Sequence, residues 1–155
     1  MSGNTPKTAS ICCLNLIKQS EGFRPAPYRC PAGVPTIGYG NTRYPDGRAV
    51  SMGDPAITPI QAEALMRAAL KPFEDAVNRY VQVEINQNQF DALLDFTYNM
   101  GPQALRTSTL LKLLNEGWLQ KAADQFDVWV MAAGRRLPGL VTRRALEKQL
   151  FLTAA

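Results

Sequence analysis

Glu21, Cys30 and Thr36 bring a carboxylic acid, a thiol and a hydroxyl into one short stretch, with eight and five residues between them. A carboxyl at a buried helix end has a raised pKa and can serve as a proton donor. A thiol, once ionised, can act as a base or a nucleophile. A threonine hydroxyl can hold a water or the thiol itself. The ordinary readings are a solvated glutamate, a small buried cysteine and a turn residue, and spacing alone does not choose between them.

The stretch EGFRPAPYRCPAGVPTIGYGN, residues 21–41, contains Pro25, Pro27, Pro31 and Pro35. Proline fixes φ and removes a backbone donor, so the segment is not helix interior. Gly38 and Gly40 allow positive φ or close backbone approach. The segment reads as a helix end, a tight loop and a small β-hairpin.

These residues resemble the active-site segment of the phage-type lysozymes, glycoside hydrolase family 24. That pattern runs Glu, eight residues, Asp, five residues, Thr, then Ile-Gly-x-Gly. Glu21, Cys30, Thr36 and Ile37-Gly38-Tyr39-Gly40 have this spacing, with Cys30 at the place of the family's common Asp. Some members resemble this chain in carrying Cys there. The resemblance continues in order through Asn88-Gln89-Phe90-Asp91-Ala92-Leu93, Phe96-Thr97-Tyr98-Asn99-Met100-Gly101, Ala122-Ala123-Asp124-Gln125-Phe126 and Leu137-Pro138-Gly139-Leu140 with Arg143-Arg144. It covers roughly residues 10–152.

The resemblance implies an α+β, mostly helical lysozyme-like fold in a single domain. It has an N-terminal β-hairpin lobe at about 22–57, joined by a helix to a helical lobe at about 58–155 that includes the N-terminal helix. It implies a muramidase acting on the β-1,4 bond between N-acetylmuramic acid and N-acetylglucosamine, with Glu21 as general acid. Cys30 is then either a base on a water held with Thr36, giving inversion, or a nucleophile at the anomeric carbon, giving retention. Free cysteine has a pKa of ~8.5, so the thiolate needs help, for which Arg29 is a candidate. Arg144 takes the place of the family arginine that pairs with the catalytic glutamate. Tyr98 and Asn99 fall where the family lines its saccharide cleft, with Arg144 counted among the substrate-binding residues. Arg135, Arg136 and Arg143 read as surface residues, and Trp118 and Trp129 as core.

Composition narrows the alternatives. The chain has no histidine, which excludes a Ser-His-Asp triad and His-based zinc chemistry. Three cysteines, Cys12, Cys13 and Cys30, lack CxxC spacing, so neither a metal site nor a disulfide framework is expected. Cys13 lies eight residues before Glu21, ~12 Å along a helix. Pairing it or Cys12 with Cys30 would need rearrangement, because bridged Cα atoms lie within ~7 Å. No cofactor is expected.

Lys and Arg exceed Asp and Glu by 17 − 13 = 4, a bias that suits an anionic polymer such as peptidoglycan. Without a clustered basic helix, nucleic acid is not an expected partner. No apolar run reaches the ~18–20 residues of a membrane span, and residues 1–10 do not read as a signal peptide. The expectation is therefore a monomer made in the host cytoplasm, which a holin lets reach the periplasmic wall. The rival readings are a non-catalytic peptidoglycan-binding relative and a lytic transglycosylase using Glu21 alone.

The elements that must position these residues follow from caps and periodicity. Residues 1–7 read as frayed, and Ser10 caps a helix to about Ser20. Residues 28–57 read as the one β region. Thr58-Pro59-Ile60-Gln61 opens a helix through a capping box, and Pro72 predicts a kink or break. Asn86 caps a helix with Phe90, Leu93, Leu94 and Thr97 on its buried face, ended by Gly101-Pro102. Ser108 caps a short helix. Residues 118–132 read as one helix, and Pro138 opens the last, to about Phe151.

Overall fold

The computed structural model describes residues 5–155. Element order is α1 (Ile11–Glu21), β1 (Arg24–Arg29), β2 (Pro35–Gly38), α2 (Pro59–Tyr80), α3 (Gln87–Met100), α4 (Pro102–Thr107), α5 (Thr109–Asn115), α6 (Leu119–Asp124), a 3-10 turn (Gln125–Val128), β3 (Met131–Ala132), β4 (Arg135–Arg136) and α7 (Pro138–Phe151). It is the expected α+β, mostly helical architecture. Backbone packing divides the chain into two units, residues 17–72 and residues up to Leu16 with Phe73–Ala155. The unit that carries the hairpin is thus wider than 22–57.

In the hairpin unit, β1 and β2 pair antiparallel, with Tyr28 opposite Thr36 and Arg29 opposite Pro35, and a bulge between Arg24 and Tyr28. A tight turn closes the pair: Gly33 N donates to Cys30 O at 2.7 Å and Cys30 N to Val34 O at 3.1 Å. Ile37, Val50 and Leu65 form the core, with Tyr44 and Ile57 against it. Gly38, at φ +68°, lies so close to α2 that an added Cβ would meet Ala62 Cβ at 3.2 Å. The predicted capping box starts α2: Thr58 N donates to Gln61 Oε1 at 2.9 Å and Gln61 N to Thr58 Oγ1 at 3.2 Å. Lys18 pairs with Glu63 at 2.7 Å.

Pro72 does not break α2, which continues to Tyr80. Proline removes one helical hydrogen bond. Leu65, Met66, Leu70 and Val77, all buried, hold the helix by packing on either side of it.

In the helical unit, α3 carries the core. Its residues 90–97 are all buried, and Phe96 packs edge-on to Phe126 at 5.8 Å and to Trp129 at 5.4 Å. Phe126 in turn meets Phe151 of α7 at 5.6 Å. Asn86 caps α3 as predicted, and the structure adds a reciprocal bond from Gln89 that makes it a capping box, both bonds at 2.8 Å. Ser10 and Ser108 also cap, donated to by Cys12 N and Leu111 N.

Several expectations change here. Residues 5–7 are held rather than frayed: Thr5 N donates to Glu84, Lys7 N to Asn78 Oδ1 and Asn78 Nδ2 back to Lys7 O; residues 1–4 lie outside the described residues. Gly101-Pro102 ends α3 but also opens α4, with Pro102 at its first position, where a missing donor costs nothing. Residues 118–132 are not one helix. The helical run stops at Val128, and a second hairpin, β3–β4, follows with Ala133 and Gly134 at positive φ in its turn. Trp118 is the residue before α6 and is 53 % exposed, not core.

Candidate active site

Helix α1 ends at Glu21, and Gly22 follows at φ +72°. The Glu21 side chain is exposed, so the burial expected at this helix end is absent. Its carboxyl meets the segment after β2: an ideal Cβ at Gly40 would lie 3.4 Å from Glu21 Oε2 and 3.5 Å from its Cδ. Gly40 has φ +81°, which a side chain would strain. The two glycines of Ile37-Gly38-Tyr39-Gly40 therefore have separate tasks. Gly38 admits α2 and Gly40 admits the Glu21 carboxyl.

Cys30 opens the turn between β1 and β2, and Thr36 lies on β2, 3 % exposed. Backbone N–H groups of Val34 and Ala32, with the Thr36 hydroxyl and Gly33 N–H adding to them, hold the Cys30 thiol below its ordinary pKa, against a smaller effect of burial. The turn that folds the hairpin thus supplies the stabilisation of a thiolate. The expected helper, Arg29, is engaged elsewhere, donating to Gly33 O at 2.9 Å. Thr36 Oγ1 lies 2.8 Å from Val34 O as well as within reach of the thiol. Its single proton can serve only one of them at a time.

The second set of expected residues lies in the helical unit, at the end of α3 and on α7. Tyr98 is half-buried and packs edge-on to Phe73 at 5.2 Å. Asn99 Oδ1 accepts from Arg144 Nη2 at 2.7 Å. Arg144 is wholly buried. Within its own unit the carboxylate it grips is Glu147. Nη2 donates to Oε2 at 2.9 Å and Nε approaches Oε1 at 2.6 Å. The Arg144 guanidinium also lies 5.2 Å over the Phe96 ring.

Arg143 is not the surface residue expected. It is 6 % exposed and forms a two-pronged pair with buried Asp95, Nε to Oδ2 at 2.9 Å and Nη2 to Oδ1 at 2.8 Å. Burial pushes the Glu147 carboxyl well up, a hydrogen bond and the charge of Asp95 push it further, and Arg144 opposes them. Sequence reasoning missed Asp95 and Glu147. The signal was present: Asp91 and Asp95 sit four apart on a helix otherwise read as an apolar face, and Arg144 and Glu147 are one turn apart. Among the described residues, no group of three or more His, Cys, Asp or Glu is arranged to hold a metal ion.

The family model "Phage lysozyme" matches residues 18–147. The chain belongs to the phage lysozyme family. It is 43 % identical over 142 residues to the endolysin of Bacillus phage B103, covering 90 % of this chain and 52 % of the relative. It therefore spans about half the length of that phage lysozyme relative. The endolysin of Salmonella phage P22 is 40 % identical over 137 residues, covering 88 % of this chain and 92 % of that one. Among solved structures, the endolysin from Escherichia coli O157:H7 phage FAHEc1 superposes with a TM-score of 0.88 at 37 % identity, covering 98 % and 96 % of the two chains. The lysozyme-like fold is thereby secured over nearly the whole chain.

Proposed function

We propose that this chain is a phage endolysin, a muramidase that hydrolyses the β-1,4 bond between N-acetylmuramic acid and N-acetylglucosamine of peptidoglycan. The observation that carries the reading is the hairpin unit's geometry: Gly40 opens against the Glu21 carboxyl while Thr36 and the turn amides surround the Cys30 thiol. Glu21 donates a proton to the leaving glycosidic oxygen. The thiolate favoured at Cys30 either takes a proton from a water held with Thr36 or attacks the anomeric carbon itself. Asn99, with Tyr98 beside it, contacts the glycan.

The test is clearing of outer-membrane-permeabilised Gram-negative cells under reductant, with the wild type and Glu21→Gln side by side. Lysis by the wild type alone, with new reducing ends, is the expected result. Anhydro-sugar ends would make it a lytic transglycosylase. Wall binding without lysis by either would make it a non-catalytic relative.

Among the described residues no helix is long and apolar enough to cross a membrane. The reading extends to synthesis in the host cytoplasm and access to the wall once a holin has opened the membrane. Cells expressing the chain alone should then stay turbid until chloroform is added; spontaneous lysis would exclude the holin route.

A further inference from the structure

The Asn99 amide has two faces, a carbonyl oxygen that accepts and an NH2 that donates. Its environment leaves one of them for a ligand. Arginine has donors only, so the Asn99 atom 2.7 Å from Arg144 Nη2 has to be the oxygen. Arg144 is itself fixed by the wholly buried Glu147, whose Oε2 accepts from Nη2 and whose Oε1 forms a close ion pair with Nε, and by the Phe96 face. Trp129 O lies at 3.5 Å from Nη1. The guanidinium cannot turn away without breaking its hydrogen bond to Glu147 inside the core. Asn99 is half-buried at the end of α3, and its NH2 is neither bonded nor sealed off among the described residues.

We propose that Arg144 and Glu147 are positioning residues that hold Asn99 as a hydrogen-bond donor only, so that it selects an acceptor on the glycan, the carbonyl oxygen of an N-acetyl group. This deepens the muramidase reading and rests on its placement of Asn99 against substrate. It narrows that placement, since a free asparagine could offer either edge.

Asn99→Asp decides the matter. The variant is isosteric and keeps, indeed strengthens, the contact to Arg144, while replacing the outward donor by an acceptor. In a Glu21→Gln background, sedimentation with purified sacculi should show binding weakened about tenfold, the scale of one hydrogen bond lost with its partner left desolvated. In the active enzyme KM should rise by a similar factor, with kcat within about twofold. On chemically de-N-acetylated sacculi the difference between Asn99→Asp and its parent should vanish. Parental binding by Asn99→Asp on native sacculi would overturn the inference.

Arg144→Met should weaken binding as Asn99→Asp does, and Arg144→Lys, which still donates to Oδ1, should restore most of it. Equal losses in both, with unchanged melting temperatures, would overturn the positioning role. The outcomes separate from those of the muramidase reading. A wild type that releases no reducing ends refutes hydrolysis, whereas the sacculus-binding arm judges Asn99 whether or not any bond is cut.

Discussion

Arg143 holds Asp95 with both edges of its guanidinium, at 2.9 and 2.8 Å, inside the helical unit. The aspartate is fully buried and the arginine nearly so. Replacing a buried pair by apolar groups can be neutral, but removing one partner strands the other. Arg143→Met should therefore cost about 3–5 kcal/mol in urea unfolding. The double variant Arg143→Met/Asp95→Leu should cost less than the sum of the two single changes. Strict additivity would mean that the pair contributes no coupling.

The buried acid Glu147 predicts an unusual pH dependence. Its folded pKa lies well above the ordinary 4.5, chiefly through burial. The folded state then binds this proton more tightly than the unfolded chain does. The stabilisation is full below pH 4.5 and is lost as pH rises from there through the elevated folded value. Asp91, also raised by burial, adds a slope of the same sign from its ordinary 3.8 upward. Glu147→Gln should flatten the decline in unfolding free energy measured between pH 5 and 8. An identical slope in the variant would place the proton elsewhere.

The thiol prediction concerns Cys30. With backbone donors lowering its pKa, its alkylation by iodoacetamide, followed peptide by peptide in the mass spectrometer, should have a midpoint below that of a free cysteine thiol. Thr36→Val removes one of the groups that favour the thiolate. It should shift that midpoint upward and slow labelling at neutral pH. Lysis by the same variant should fall in parallel if the thiolate is the working form.

Gly40 and Gly47 make a matched pair. Both have positive φ, +81° and +90°, but an added Cβ meets Glu21 only at Gly40, and nothing within 4 Å at Gly47. Each change to alanine should cost about 1–2 kcal/mol through backbone strain. Gly40→Ala alone should also lower lytic activity, because its methyl comes into van der Waals contact with the Glu21 carboxyl. Similar activity in both variants would uncouple Gly40 from the acid.

The sequence was readable wherever a local interaction decides the structure. Thr58 with Gln61 and Asn86 with Gln89 announce their helices through reciprocal bonds that span three residues. The order Glu21, Cys30, Thr36 sits on a helix end, a turn and a strand, as its prolines and glycines require. What failed to show depends on partners distant in the chain. Arg143 looks like any surface arginine until Asp95, 48 residues earlier, is placed beside it. The β3–β4 hairpin has two-residue strands, too short for alternation to register. Residues 5–10 lack periodicity, yet Ala9 N is taken by Glu74 at 2.7 Å and Ser10 by Asp91. The burial expected at Glu21 failed for the same reason, since an amphipathic pattern says which face of a helix is covered but not how far cover reaches at its end.

Two adjacent cysteines on α1 give the helical unit a clock of its own. Cys12 is exposed, whereas Cys13 is completely covered, and burial followed by the charges of Asp95, Asp91, Glu74 and Glu147 drives its thiol far upward. A thiol reagent needs both access and a thiolate. Cys12 therefore reports the reagent's intrinsic speed, and Cys13 reacts only during openings that expose the core around Leu14 and Asp95. The ratio of the two rates, taken from one peptide in one experiment, converts directly into the free energy of that opening, with no denaturant and no introduced label.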